Sequence, residues 1–258
     1  MKTIKFSVCA VLIASILCMG AAASDSQRIN WFFKSNGENE RPEILGNDSI
    51  LNDSNALYIG PESERTVYLT FDAGYSNENV EKTLDVLKAH NVKAAFFILP
   101  GIIKNSEEVV RRMIDEGHTV CNHTTTHCDM SKVTHISDFK HELEGLENLY
   151  RERFGLEMPK YFRPPEGAFS ELTLDFCKEL EYTPVFWSFA YRDWDNQKQP
   201  DPIKAKEKIL SSVHNGAVIL LHPTGKTNAD ILSGVITELK QNGYSFGTLD
   251  ELKLKLHG

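Results

Sequence analysis

Seven short apolar runs recur along the chain, and most of the stretches between them carry helical periodicity. The runs fall at 66–71, 94–99 ("AAFFIL"), 118–122 ("HTVCN"), 160–163 ("KYFR"), 183–189 ("TPVFWSF"), 217–221 ("AVILL") and 244–246 ("YSF"). Strands that are apolar on both faces belong to sheets covered on both sides, which is the habit of parallel sheets. Strands alternating with helices give the same answer: a parallel sheet with helices outside it. Seven such units predict an α/β fold, a closed or nearly closed β/α barrel. The 258 residues suffice for one large domain.

Local signals mark the helices. Val80, Leu84 and Leu87 share one face of a helix over 77–90. Ser106, Glu107 and Glu108 open another that ends at Gly117, where a glycine C-cap is expected. Phe139, Leu143, Leu146 and Tyr150 have helical spacing. Ser170 caps a helix to about Leu180. Asp201-Pro202 is an N-cap with proline in the first turn of a helix that runs towards Asn215-Gly216. Asn228 is expected to open the next helix, to about Gln241, and a short helix ends the chain. Two long polar connections, 122–137 and 190–202, interrupt this regularity; unstructured loops of that length inside a compact domain are commonly functional.

The chain divides into a secretory signal peptide (1–23), an N-terminal arm (24–62) and the barrel (63–258). Lys2 and Lys5 form a basic start, Ile4 to Met19 an apolar core, and Ala21 and Ala23 a small-residue cleavage site. An uncleaved membrane anchor is the competing reading of the same residues; no other membrane association is expected. The arm is rich in Asn, Ser, Asp and Glu and is expected to lie extended along the domain edge. With a net charge of −8 the chain lacks the basic footprint of a nucleic-acid binder, and loss of Lys2 and Lys5 makes it more acidic still. Beyond the signal only Cys121, Cys128 and Cys177 remain, an odd number that gives no disulfide framework, although a Cys121–Cys128 bridge stays open.

In parallel β/α folds the chemistry gathers at the carboxyl ends of the strands. Asp72 follows the first strand, His123 the third, and Arg163 ends the fourth. Asp193 and Trp194 lie in the loop after the fifth, and His222 follows the sixth. Five polar groups thus point at one rim. His123 and His127, four apart, would share a face of a helical turn and could share a metal. Cys121 and Cys128 flank that pair and read as small buried thiols rather than soft ligands. His118 and His135 read as surface residues. In "RPPEG" (163–167) the prolines stiffen the loop, and Arg163 either orients a carboxylate bidentately or forms a structural ion pair. An adjacent Asp193 would keep His222 protonated.

Taken in order, TFDAG (70–74), HTTTH (123–127), RPPEG (163–167), RDW (192–194) and LLH (220–222) resemble the motifs of the polysaccharide deacetylase (NodB-homology) domain, carbohydrate esterase family 4. The resemblance runs from about Thr66 to about Leu252 and implies a distorted (β/α)7 barrel. Within the family, "YLTFDAGYSN", "FFILPGIIK", "VFWSFAYRDWDNQKQP" and "GAVILLHPTGKTNADIL" look most like the muramic δ-lactam-forming de-N-acetylases of spore-forming bacteria.

That likeness implies a hydrolase of N-acetylmuramic acid in peptidoglycan strands, whose freed amine closes onto the lactyl carboxyl group. It also implies export to the cell wall, in a spore former the forespore cortex. Asp72 maps to the catalytic base, Arg163 to the residue that holds it, and His222 to the general acid oriented and charged by Asp193. His123 and His127 map to metal ligands, and the Tyr75 backbone N–H to an oxyanion donor. Trp187 and Trp194 map to the acetyl pocket or a sugar platform. Two positions depart from the pattern. Ala73 stands where the family's second aspartate is the third metal ligand, and Pro223 follows His222 in place of the more usual Asp. A divalent metal, zinc foremost, is therefore expected to be weakly held or absent. An N-acetylglucosamine deacetylase and a non-catalytic wall-glycan-binding module are the competing readings.

Overall fold

The computed structural model describes residues 27–35, 37–45 and 48–258. The expected signal peptide (1–23) and the first residues of the arm lie outside them. The seven expected strands form one parallel sheet. Thr66–Ala73 is central, with Val218–Leu221 on one side and Ala95–Ile98 on the other; beyond the latter come Thr119–Asn122, Tyr161–Phe162 and Thr183–Pro184. Ser245–Phe246 pairs with the start of the central strand.

The seam between Thr183–Pro184 and Val218–Leu221 is filled by single bridges rather than by a ladder. Leu57 of the arm meets Val185, Ile59 meets Ala217, and Phe189 meets Ile219. The barrel is thus the distorted (β/α)7 form, closed in part by the arm. The arm does more than lie along an edge: Ile29–Asn30 pairs antiparallel with Ala168–Phe169 beside the "RPPEG" loop. Gly216 (φ +74) makes the closure possible, because a Cβ there would sit 2.5 Å from the Gly60 carbonyl carbon.

Alternation along Thr66–Ala73 sorts its side chains into two layers. Val67, Leu69, Phe71 and Ala73 pack outward in the apolar layer that the helices share. Tyr68 joins Ala95, Phe97, Cys121, Tyr161, Val185 and Val218 in the barrel interior, which Leu249 and Leu252 of the last helix also reach. The same alternation turns Thr70 and Asp72 inward, with Asp72 near the strand's carboxyl end and so at the barrel mouth.

Several local expectations shift. A helix, Pro100–Asn105, precedes Glu107–Asp115. The fifth strand is two residues long, and the following helix, Pro202–Ser212, ends before Asn215. The helix expected to open at Asn228 begins at Lys226 with Gly225 as its N-cap, so Asn228 is a buried helical residue. His118 is buried, not exposed: it lies just ahead of the strand Thr119–Asn122, where its Nδ1 accepts the Ala94 N–H and its ring meets Phe96 edge-on. The three described cysteines are free thiols.

Candidate active site

At the barrel mouth a cleft of about 580 Å³ is lined by Asp72, His123, His127, Trp187, Trp194 and His222, together with Glu166, Ala190, Tyr191 and Leu220. Six of the nine residues singled out from sequence therefore line one cavity, and Arg163 and Asp193 stand directly behind it. The Tyr75 side chain does not line it. It is half exposed and its hydroxyl meets the Asn196 amide across the rim.

Arg163 is fully buried, and each of its bonds has a reason. Nη1 donates to Asp72 Oδ1 at 2.7 Å and Nη2 to Thr70 Oγ1 at 2.7 Å, while Nε donates to the Val185 carbonyl at 3.2 Å. The Phe97 ring lies under the guanidinium, 4.1 Å from its centroid. A cation desolvated to this degree persists because a carboxylate and several acceptors surround it. Burial alone would push the Asp72 carboxyl up. The Arg163 charge, then the influence of His123 and His222, outweighs burial and holds it below the ordinary carboxylate range.

His222 has the opposite polarity. Its Nδ1–H donates to Asp193 Oδ1 at 2.8 Å and its backbone N–H to Asp193 Oδ2 at 2.8 Å. Burial disfavours the imidazolium, yet the Asp193 hydrogen bond and charge, then Asp72, raise His222 above its usual value. A carboxylate biased towards its ionised form and an imidazole biased towards its protonated form thus face one cleft. That is the pairing an amide hydrolysis needs: one group to accept a proton from water, one to give a proton to the departing nitrogen. Trp194, 57% exposed, stands edge-on to His222 at 6.1 Å on the outer rim.

The two histidines of "HTTTH" meet, but not through a helical turn. Thr124 (φ 75) and His127 (φ 59) are both left-handed, which breaks any helix. The loop is held by side chains instead. Asn122 Oδ1 accepts the Thr124 N–H at 2.8 Å, and Thr124 Oγ1 accepts the His127 N–H at 2.9 Å. Glu142, from the helix Ile136–Phe154, accepts the N–H groups of Thr125 and Thr126 and the Thr126 hydroxyl. The result brings the imidazole centroids to 5.1 Å.

These residues fit a divalent ion in part. His123 Nδ1 donates to the Arg163 carbonyl at 2.9 Å, which leaves Nε2 as the lone-pair nitrogen, 3.6 Å from Asp72 Oδ2. Burial drives the His123 imidazole down to about 4 against the pull of Asp72, so it is neutral, as a ligand must be. A second nitrogen tied to a backbone carbonyl is the usual support of a ligating histidine. Yet the Ala73 methyl faces the outer apolar layer, and among the described residues no group of three His, Cys, Asp or Glu side chains is placed to hold a metal. The site offers two imidazoles and leaves the remaining positions to water or substrate. Burial raises the Cys121 and Cys128 thiols, which keeps them protonated and unsuited to ligation.

Sequence reasoning missed Glu142, Asn122, Thr70 and Asn228. The threonine run of "HTTTH" was a signal for the first two, since three hydroxyl residues between ligands are candidates for holding a loop. Asn228 carried none, because an Asn at a helix start reads as a cap.

Residues 59–185 match the family model described as polysaccharide deacetylase. The peptidoglycan-N-acetylmuramic acid deacetylase PdaA of Bacillus subtilis is 37% identical over 251 residues, 95% of each chain. Its solved structure, described as a family 4 carbohydrate esterase, superposes with a TM-score of 0.86 over 90% of this chain and 99% of that one, at 36% identity. A peptidoglycan-N-acetylglucosamine deacetylase of Bacillus cereus is 33% identical over 199 residues, 76% of this chain and 70% of its own.

Proposed function

Since this chain belongs to the polysaccharide deacetylase family, the family 4 carbohydrate esterases, and is a hydrolase of the peptidoglycan-deacetylase kind, we propose that it removes the acetyl group from N-acetylmuramic acid in peptidoglycan strands. The freed amine then closes onto the lactyl carboxyl as a δ-lactam. Likeness to the muramic acid deacetylase across nearly the full length of both chains supports this substrate over N-acetylglucosamine. The basic, apolar, small-residue start of the chain supports export to the wall.

One observation carries the chemistry: Asp72, kept ionised by Arg163, and His222, kept protonated by Asp193, border the same cleft. Asp72 accepts the proton of the attacking water, and Arg163 fixes the carboxylate that does so. His222 delivers the Nε2 proton to the leaving nitrogen. The Tyr75 backbone N–H is assigned to the oxyanion, where such donors typically contribute ~3 kcal/mol. The apolar wall of Trp187, Tyr191 and Leu220 receives the acetyl methyl, and the exposed Trp194 ring offers a platform for the sugar. His123 and His127 would hold a divalent ion, which when bound supplies Lewis-acid polarisation of the acetamide carbonyl.

The test is acetate release from defined muropeptides and glycan strands, with N-acetylglucosamine oligomers alongside, and mass spectrometry for the lactam. Acetate and lactam from muramic strands are expected. Release from the glucosamine oligomers alone would replace the substrate; glycan binding with no acetate from either would leave only a wall-binding module.

A further inference from the structure

Asn228 is 2% exposed, at the start of the helix Lys226–Gln241, and takes no part in capping it. Its Nδ2 donates to Asp193 Oδ2 at 2.5 Å and to the His222 carbonyl at 3.0 Å. Its Oδ1 accepts the Tyr191 hydroxyl. The amide orientation follows from chemistry. An ionised carboxylate only accepts, so the NH₂ group must face Asp193, the carbonyl oxygen must face Tyr191, and the phenol must donate. Both Nδ2 hydrogens are then used, one on the carboxylate and one on the backbone of the histidine that the carboxylate supports.

We propose that Asn228 is a positioning residue for the general acid: it clamps Asp193 to the backbone of His222, and Tyr191, whose ring lines the cleft, locks the clamp. The inference rests on the reading of His222 as the acid. Among the described residues the two oxygens of Asp193 receive three donors, and of these only the Asn228 donor lies outside His222 itself. Without it the carboxylate is held by the two donors of His222 alone, and no bond from outside that residue fixes its plane against the imidazole. The groups acting on the His222 charge are Asp193 and Asp72, which favour the imidazolium, and Arg163, which opposes it. Loosening Asp193 therefore shifts the balance towards Arg163, and His222 loses its proton at lower pH.

Two variants and two measurements test this. Asn228→Leu keeps the branched side-chain shape and removes every donor; Tyr191→Phe keeps the core shape and frees the amide to turn. NMR titration of the His222 imidazole in the substrate-free chain, assigned with His222→Gln, reads the clamp without any reaction. Steady-state kcat and KM across pH read its consequence.

The His222 midpoint in Asn228→Leu is expected about one unit lower, with the alkaline limb of kcat displaced equally and kcat down about 10–100-fold at unchanged KM. Tyr191→Phe is expected to move the midpoint in the same direction by less. A His222 midpoint unmoved in both variants, or a loss of kcat with the limb in place, overturns the proposal. Should Asn228→Leu fail to fold, the Tyr191→Phe titration decides alone. If the unaltered protein releases no acetate, the function fails while the titration still tests the clamp.

Discussion

At the scale of single residues the site turns on two charges with opposite supports. Asp72→Asn keeps an oxygen for Arg163 but removes its counter-charge. Acetate release is expected to fall about 10²–10⁴-fold, with a stability loss of roughly 3 kcal/mol, because a buried guanidinium then lacks its anion. A denaturant titration checks the second number; an active, equally stable variant would remove Asp72 from both roles. The pH dependence follows from the two shifts. Asp72 is held below the ordinary carboxylate range, so it is ionised well before neutrality. His222 is raised above 6.5, so it stays protonated past that point. Both groups are therefore in the required state together, and kcat/KM should form a bell whose alkaline limb lies above pH 6.5 and disappears in His222→Gln. A single acid limb with no alkaline fall would rule out His222 as the acid.

At the scale of elements, the histidine pair depends on how one loop is pinned to one helix. Glu142 supplies three of the bonds that hold Thr125 and Thr126, and none of them touches an imidazole. Glu142→Ala should therefore weaken zinc binding about 10–100-fold, read by calorimetry, the range for lost support of a ligating group. The His222 titration should not move. Equal zinc affinity in the variant would mean that the loop holds its shape without the helix. This element also shows what a sequence can and cannot reveal. Ser170 and Asp201 both cap the helices expected of them, because a cap is decided within four residues. The apolar strands were legible for a similar reason: two-sided burial writes itself into every residue of the run. The left-handed turn at Thr124 was not, since its stability comes from Asn122 and from a helix some twenty residues away. Asn228 was misread because its partners, Asp193 and Tyr191, arrive from a different loop, and no local pattern announces them.

At the scale of the molecule, the barrel separates a charged mouth from a base where polar groups are buried with little support. His118 and His214 lie ahead of the strands Thr119–Asn122 and Val218–Leu221, at the end away from the cleft. His118 Nδ1 accepts the Ala94 N–H, His214 Nδ1 donates to the Ser212 carbonyl, and neither Nε2 has a hydrogen-bond partner among the described residues. Burial pushes both imidazoles down to about 4 from 6.5, and His123 at the mouth behaves likewise. In the unfolded chain all three would take a proton near pH 6.5; in the folded barrel they resist until about 4. The unfolded state thus binds more protons across that window, and stability rises with pH through it. The contribution is complete above pH 6.5 and is lost as pH falls towards 4. Its size is on the order of 3 kcal/mol for each histidine. Urea unfolding between pH 7 and pH 4 should show a steep loss of stability, and His214→Gln should flatten that slope by the equivalent of one proton while leaving the cleft untouched. A slope unchanged in His214→Gln would mean that His214 takes a proton in the folded state, and that the acid sensitivity arises at His118 or at the mouth instead.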